Sequence, residues 1–252
     1  PPKNFQQIYD QVKFMRSKII APVDTMGCAS IPTKISSLKE GPVFRYQLLV
    51  SLMLSSQTKD EINYEVMNLL HQTFLAKGFE KGLCIEAIRE ISEIELDKLI
   101  FKVGFHTRKA KYIKQTTEIL HEKYADEIPK TIQEIMAFPG VGPKMGYLLL
   151  QSAWNITTGI GVDVHVFRLA NMWGWVPKLK NPTPETTRLE LEKWLPRDLW
   201  TEFNPILVGF GQSICLPRGR RCDLCTLPRF GNLCPNVDRK LLNKKISTEN
   251  KN

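Results

Sequence analysis

Two groups of residues have types and spacings that suit chemistry: a lysine behind a glycine-rich turn, and four clustered cysteines. The turn lies in residues 138–146, which read FPGVGPKMG. Glycine accepts a positive φ and carries no Cβ, so the chain can bend sharply here. The amides of such a turn, at the N-terminus of a following helix, form a concave donor site suited to a phosphate oxygen. Gly140 and Gly142 are therefore candidate phosphate contacts.

Lys144 follows this turn and falls in the first turn of the predicted helix. The positive end of a helix disfavours an ammonium and burial disfavours it further, so a free amine is favoured. A free amine is a nucleophile. Asp163 stands where a later helix is predicted to begin, where its carboxylate can cap backbone amides and stay ionised. The alternative is an ordinary helix–helix turn with a solvated lysine.

The second group is the cysteines, four of which fall within twenty residues near the C-terminal end. They are Cys215, Cys222, Cys225 and Cys234. A secreted disulfide framework normally spreads its pairs over a smaller chain. We therefore predict a metal or cluster site at these four cysteines. The other two, Cys28 and Cys84, lie alone in apolar or small-residue surroundings.

Helical periodicity predicts the elements that position these residues. Apolar residues step by three or four over residues 5–20, and residues 43–54 are almost continuously apolar, which predicts a helix buried on most sides. Apolar residues at helical spacing flank the glycine-rich turn, so it joins two helices as a hairpin. In the helix predicted over residues 107–124, four basic residues are interpreted as a solvated face. They are Arg108, Lys109, Lys111 and Lys114. No long run alternates as a strand does, which predicts an all-α fold.

Composition points to a polyanionic partner. The 252 residues include 35 Lys and Arg against 26 Asp and Glu, a net charge of +9 with pI near 9.2. Nucleic acid is favoured over a membrane surface, because no basic amphipathic helix or lipidation motif stands out. No stretch approaches the roughly 18 to 20 unbroken apolar residues that a membrane span needs. Nothing in the sequence demands more than a monomer.

The ordered motifs PGVG-x-K, VD-x-H-x-x-R and C-x6-C-x2-C resemble the endonuclease III family of helix-hairpin-helix DNA glycosylases. Residues 54–60, LSSQTKD, also resemble the family's LSxQxxD loop. The resemblance covers roughly residues 42–235. The sequences PGVGPKM and VGFGQ (residues 208–212) are similar to those of the eukaryotic branch.

The resemblance implies an all-α protein of two helical lobes with a DNA-binding groove between them. A six-helix barrel lobe with the helix-hairpin-helix would span residues 41–155. A cluster lobe would combine residues 1–40 with residues 156–238, and residues 239–252 would form a disordered basic tail.

The activity implied is that of a bifunctional glycosylase and abasic-site lyase of base excision repair. It would act on double-stranded DNA that contains oxidised pyrimidines, such as thymine glycol, or abasic sites. Lys144 would attack C1′ of the damaged nucleotide and form a Schiff base, with Asp163 assisting, and β-elimination would cut the strand. His165 is interpreted as structural.

The resemblance also assigns DNA contacts. Gln57 would enter the space left in the duplex, Phe105 would wedge beside the opposite base, and Asp60 would line the pocket. Their alternatives are a loop hydrogen bond, a core position and a helix cap. Between the first two cysteine ligands lies a basic loop placed to meet phosphates, with Arg218, Arg220 and Arg221.

For the four cysteines the resemblance implies a [4Fe–4S] cluster, which needs four thiolates. Zinc is the alternative, although zinc sites tend to use two short knuckles and only Cys222 and Cys225 form one. The last spacing is eight residues where the family usually has five, so residues 226–233 contain an insertion and the path of that loop is open.

Two other classes of function remain open. One is a monofunctional relative such as an adenine glycosylase, which lacks the lysine. The other is a non-catalytic DNA-binding or redox-sensing protein. We expect residence in the nucleus, with the mitochondrion as a further location. The chain begins Pro1-Pro2-Lys3 without a methionine, which we interpret as a processed or trimmed end.

Overall fold

The computed structural model describes residues 1–243. Every regular element in that span is helical, which confirms the all-α prediction. In chain order the helices are α1 (Phe5–Arg16), α2 (Pro22–Met26), α3 (Ile31–Ser36), α4 (Pro42–Ser55), α5 (Asp60–Ala76), α6 (Ile85–Glu90), α7 (Glu93–Leu99), α8 (His106–Tyr124), α9 (Ile132–Met136), α10 (Pro143–Trp154), α11 (Val164–Met172), α12 (Pro184–Glu192), α13 (Trp200–Ser213) and α14 (Arg239–Asn243). Among the helices described, none is long and apolar enough to cross a membrane.

The chain forms two compact units. One is continuous and spans residues 25–158. The other combines residues 1–24 with the chain from residue 159 onward. Each unit has its own apolar core, and we call them the continuous unit and the composite unit.

Helix α4 is the centre of the continuous unit. Ten of its fourteen residues are buried, as the unbroken apolar run predicted. It packs against α3, α5, α8 and α10. The polar side chains that it buries have partners: Gln47 Nε2 donates to the Leu83 carbonyl at 3.0 Å, and Ser51 Oγ donates to the Cys28 carbonyl at 3.1 Å. Because buried polar groups are costly when unpaired, these bonds fix α4 in one position. The loop after α4 and the hairpin helix α10 are thus built on a rigid base.

The composite unit is held by aromatic packing between α1 and α13. Phe5 lies edge-on to Trp175 with ring centroids 4.9 Å apart, and Tyr9 stacks on Phe203 at 5.8 Å. The segment VGFGQ lies in α13, and its two glycines allow side chains from other elements to pack closely against this helix. A Cβ on Gly209 would collide with the Arg16 guanidinium, and one on Gly211 with the His165 ring. His165 therefore packs against α13.

The units differ from the predicted lobes at residues 25–40. Those residues were assigned to the cluster lobe, but they lie in the continuous unit. The reason is that Ile31 and Ile35 of α3 are buried in the core around α4. At the other end, residues 239–243 form the short helix α14, where a disordered tail was predicted. The rest of that predicted tail lies outside the described residues.

Candidate functional site

The glycine-rich turn joins α9 to α10 as a helical hairpin. Gly140 has φ of +77°, and a Cβ there would collide with the Tyr112 ring. Gly146 faces α9 so closely that a Cβ would lie 2.6 Å from Cδ1 of Ile132. Gly142 caps the N-terminus of α10, and a Cβ added there would meet nothing within 4 Å. Its side of the turn is therefore open to an approaching ligand.

Lys144 is the second residue of α10 and is half-buried. Its charge acts on Cys28, another residue of the continuous unit. Burial raises the pKa of the Cys28 thiol, the Lys144 charge opposes that rise, and the Asp60 carboxylate adds to it. Both charges therefore act on the Cys28 thiol within the continuous unit. Sequence reasoning had treated Cys28 as isolated, and no spacing pattern could have linked it to Lys144.

Asp163 caps the N-terminus of α11, as predicted, and belongs to the composite unit. Its Oδ1 accepts hydrogen bonds from the amides of His165 at 3.1 Å and Val166 at 2.8 Å. The side chain is half-buried.

The loop between α4 and α5 presents Gln57 to solvent. Gln57 is exposed and has φ of +51°, a left-handed conformation that is uncommon for a residue with a side chain. The Thr58 amide donates back to the Ser55 carbonyl at 3.2 Å, which closes the turn. The Gly104 amide donates to Thr58 Oγ1 at 3.3 Å. A Cβ on Gly104 would lie 2.8 Å from the Gln57 carbonyl oxygen, so only glycine allows this approach.

Phe105, next to that glycine, is 57% exposed. It is the N-cap residue of α8 and has φ of +58°. The Arg108 guanidinium lies 5.9 Å from its ring centroid. The alternative of a core position for Phe105 is therefore wrong. Contact between Gly104 and the Gln57 loop brings the two candidate duplex contacts onto one surface of the continuous unit.

Two lysines of α8 differ from the solvated face that the sequence predicted. Lys109 is only 5% exposed, and its Nζ donates to the Leu54 and Ser56 carbonyls, both at 2.7 Å, and to Thr58 Oγ1 at 3.2 Å. Burial lowers the pKa of Lys109 to about 8. Lys114 donates to three carbonyls at the end of α6. Periodicity could not reveal this, since all the acceptors lie on other elements.

The four clustered cysteines form no disulfide with one another and line one small cavity of about 20 Å³, open in part to solvent. The wall between them is apolar and includes Trp173, Phe210, Ile214 and Leu227. Arg168 Nη1 lies 3.5 Å from Sγ of Cys215, and Nη2 donates to the Cys215 carbonyl at 2.5 Å. Within the part of the chain that the structure describes, no group of three or more His, Cys, Asp or Glu residues is arranged to hold a single metal ion.

Burial disfavours the charged form of two of these thiols. Burial raises the pKa of Cys225 to about 12, and the neighbouring thiols add to the rise. Burial likewise raises the pKa of Cys234. Metal ions take cysteine as thiolate and release its proton. A site with four sulfur donors, an apolar wall and one arginine beside a sulfur fits a group that binds four thiolates and carries net negative charge.

Two of the three arginines in the basic loop bind other groups of the chain. Arg221 pairs with Asp223 at 2.8 Å, and Arg220 Nη1 donates to the Asn236 carbonyl at 3.0 Å. Arg218 is exposed at the tip. The insertion in residues 226–233 has a defined path, since the Leu233 amide donates to the Leu227 carbonyl at 3.0 Å. At the start of this segment, Thr226 Oγ1 donates to Gln11 Oε1 on α1 at 2.8 Å.

Comparison with known proteins gives three findings. Residues 50–197 match the family model "HhH-GPD superfamily base excision DNA repair protein". An endonuclease III homolog of Schizosaccharomyces pombe is 50% identical over 237 residues, which are 94% of this chain and 63% of that protein. Endonuclease III-like protein 1 of Mus musculus is 47% identical over 89% of this chain and 71% of its own length. This chain thus spans less than two thirds of the fungal relative.

Solved structures agree on the fold. A non-covalent endonuclease III–DNA complex superimposes with a TM-score of 0.65, at 22% identity, over 91% of this chain and all of that chain. A thermostable thymine-DNA glycosylase gives a TM-score of 0.66 at 19% identity, over 92% of this chain and 95% of its own.

Proposed function

Because this chain belongs to the HhH-GPD superfamily of base excision DNA repair proteins, we propose that it is a bifunctional DNA glycosylase and abasic-site lyase. Its substrate would be double-stranded DNA that carries oxidised pyrimidines, such as thymine glycol, or abasic sites. One observation carries the proposal most directly: a half-buried lysine follows an open amide turn in the hairpin. A monofunctional glycosylase has no use for this amine.

Lys144 supplies the nucleophile. Its free amine attacks C1′ of the damaged nucleotide, so that an Nζ–C1′ bond forms as the bond from C1′ to the base breaks. The base leaves with the electron pair and takes up a proton. Opening of the sugar ring then gives a Schiff base between Nζ and C1′. Loss of a proton from C2′ expels the 3′ phosphate by β-elimination, which cuts the strand.

Asp163 assists as a carboxylate held by two backbone amides of α11. It accepts a proton from the Lys144 ammonium, which frees the amine, and it stabilises positive charge as the sugar loses its base. Asp60, whose charge acts on the Cys28 thiol as that of Lys144 does, would line the pocket for the extruded nucleotide.

Several exposed groups would bind DNA. The Gly140 and Gly142 amides would receive a phosphate oxygen at the hairpin, since the N-terminus of α10 is open there. Gln57 would fill the gap left by the extruded nucleotide, and Phe105 would wedge beside the opposite base. The basic loop would add phosphate contacts through Arg218, Arg220 and Arg221, with Arg218 the most available.

We assign the four clustered cysteines to a [4Fe–4S] cluster, with zinc as the alternative. When bound, the cluster would cross-link residues 215–234, and no bond-breaking step above depends on it. Arg168 would stabilise the thiolate of Cys215. The names of the relatives, endonuclease III homologs, support DNA as the partner. We propose the nucleus, with the mitochondrion as a further location, and a monomer.

The proposal is tested on a duplex with one thymine glycol, a matched undamaged duplex and an abasic-site duplex. We expect release of the damaged base, a strand break 3′ to the lesion, and a covalent complex when borohydride reduces the Schiff base. The undamaged duplex should give none of these. Salt-dependent binding to damaged and intact duplex alike, without product, would instead support a DNA-binding protein that has lost its activity.

Substitution of Asp163 should distinguish its structural role as the N-cap of α11 from its role in catalysis. Asn is as good an N-cap as Asp, so Asp163→Asn should keep the free energy of unfolding within about 0.5 kcal/mol of wild type. Base release should fall by about 10² to 10⁴-fold, because an amide cannot take a proton from Lys144. Asp163→Ala should lose activity and also about 1 kcal/mol of stability. Single-turnover rates and thermal denaturation measure the two effects, and an active Asp163→Asn protein would contradict the assigned role.

A further inference from the structure

We propose that Lys109 is a positioning residue that holds the Gln57 loop against the start of α8, so that Gln57 and Phe105 enter the duplex at a fixed separation. This inference rests on the proposed function, in which those two side chains contact DNA. Lys109 itself touches no nucleic acid in this account. It acts through the loop.

The contacts of Lys109 lie on both sides of Gln57 in the chain. Its Nζ bonds to the Leu54 and Ser56 carbonyls at 2.7 Å and to Thr58 Oγ1 at 3.2 Å. An ammonium has three protons, so these three acceptors use its whole donor capacity. Leu54 lies in the last turn of α4, where carbonyls lack helical partners and a positive charge is favoured.

The loop needs such support because Gln57 has an unfavourable backbone conformation. A left-handed φ is unfavourable for a residue with a side chain. Such conformations persist when the surroundings over-determine them, and they concentrate at functional sites. Here the Lys109 ammonium and the Gly104 amide both bind Thr58, and Gly104 also packs against the Gln57 carbonyl. The loop and the first turn of α8 are thereby joined.

Lys109 is buried, although a lysine on a helix is normally solvated. Burial of an ammonium is costly unless hydrogen bonds compensate for the loss of water, and here all of them go to residues 54–58, the end of α4 and the loop that follows it. Phe105 begins the same helix four residues earlier and is exposed. One side chain therefore links the backbone of Gln57 to the helix that carries Phe105.

The same helix offers a matched control. Lys114 also donates three hydrogen bonds, to the Ile88, Arg89 and Ile91 carbonyls, but it supports the end of α6 rather than the Gln57 loop. Lys109→Met and Lys114→Met each remove one ammonium and keep an unbranched side chain. Only Lys109→Met should affect the insertion of Gln57.

The test compares two reactions of each full-length variant. Extruding a thymine glycol needs correct insertion, whereas an abasic site has no base to displace. We expect Lys109→Met to slow base release by about 10- to 100-fold, since small displacements in a site cost that much, and strand cleavage at an abasic site by less than about 3-fold. Lys109→Arg should recover most of the loss. Lys114→Met should leave the ratio of the two rates unchanged.

A double mutant shows whether Lys109 acts through Gln57. In a Gln57→Ala background, Lys109→Met should cost much less than it does alone, because residues that act as one unit are not additive. Amide hydrogen exchange at Thr58 and Gly104 should be faster in Lys109→Met and unchanged in Lys114→Met. Any one of three results would overturn the proposal. They are an equal loss of rate in base release and in abasic-site cleavage, an undiminished further loss of base release in the Gln57→Ala background, and unchanged amide exchange in Lys109→Met. A wild-type protein inactive on both duplexes would overturn the proposed function instead, and with it this role.

Discussion

Lys144→Gln is expected to abolish the covalent complex that borohydride traps on a thymine glycol duplex. Glutamine has a similar length and nearly the same helix propensity as lysine, so α10 should form as before. Its amide nitrogen is not nucleophilic, so no Schiff base can form. Base release should fall on the order of 10³-fold or more, as is usual when a nucleophile is removed. The measurement is a denaturing gel of the trapped complex beside a single-turnover assay of base release.

The control for this change is Lys111→Gln, which removes an exposed lysine of the same unit. It should trap like wild type and bind intact duplex only slightly less tightly, as expected for one lost positive charge. If Lys144→Gln trapped at the wild-type rate, another amine would be the nucleophile and the assigned mechanism would be wrong.

Cys225→Ala is expected to remove the bound iron and to unfold the composite unit at temperatures where wild type is folded. Cys225 is buried among apolar side chains, and its loss leaves three thiolates where four are needed. Binding of a structural metal group contributes directly to the folding free energy, so we expect a loss of several kcal/mol. Iron and acid-labile sulfide per chain, together with thermal denaturation, measure the effect.

Cys84→Ala is the matched control, because Cys84 is equally buried but lies in the core of the continuous unit. It should keep its iron and lose about 1 kcal/mol, the cost of a small cavity. Iron content unchanged in Cys225→Ala would remove Cys225 from the ligand set. Zinc in place of iron in the wild-type protein would favour the four-thiolate zinc alternative.

Features that depend on neighbours along the chain could be predicted from the sequence. The apolar run of α4, the hairpin around Gly140 and the N-cap at Asp163 follow from local periodicity and backbone preference. The four cysteines share one cavity because their spacing already confined them to a short segment. These signals depend only on residues close together in the chain, so they can be recognised in a single amino-acid sequence.

Features that depend on distant partners could not be predicted in this way. Lys109 and Lys114 look like surface residues, because their acceptors lie on other elements. The Lys144 charge acts on the Cys28 thiol although more than a hundred positions separate them. Residues 25–40 were assigned to the cluster lobe, yet Ile31 and Ile35 fill a core whose other members come later in the chain. In each case tertiary packing decides the position.

The continuous unit is inserted into the composite unit, and this has a consequence for synthesis on the ribosome. Residues 25–158 emerge as one uninterrupted stretch and can bury their core while the rest is still being translated. Helix α1 is translated before α13, so it can pack only once α13 has been made, and the contact between Gln11 on α1 and Thr226 forms later still. The cysteines at 215–234 follow the continuous unit in the chain. The lysine-bearing hairpin can therefore fold on the nascent chain before the four clustered cysteines have been made.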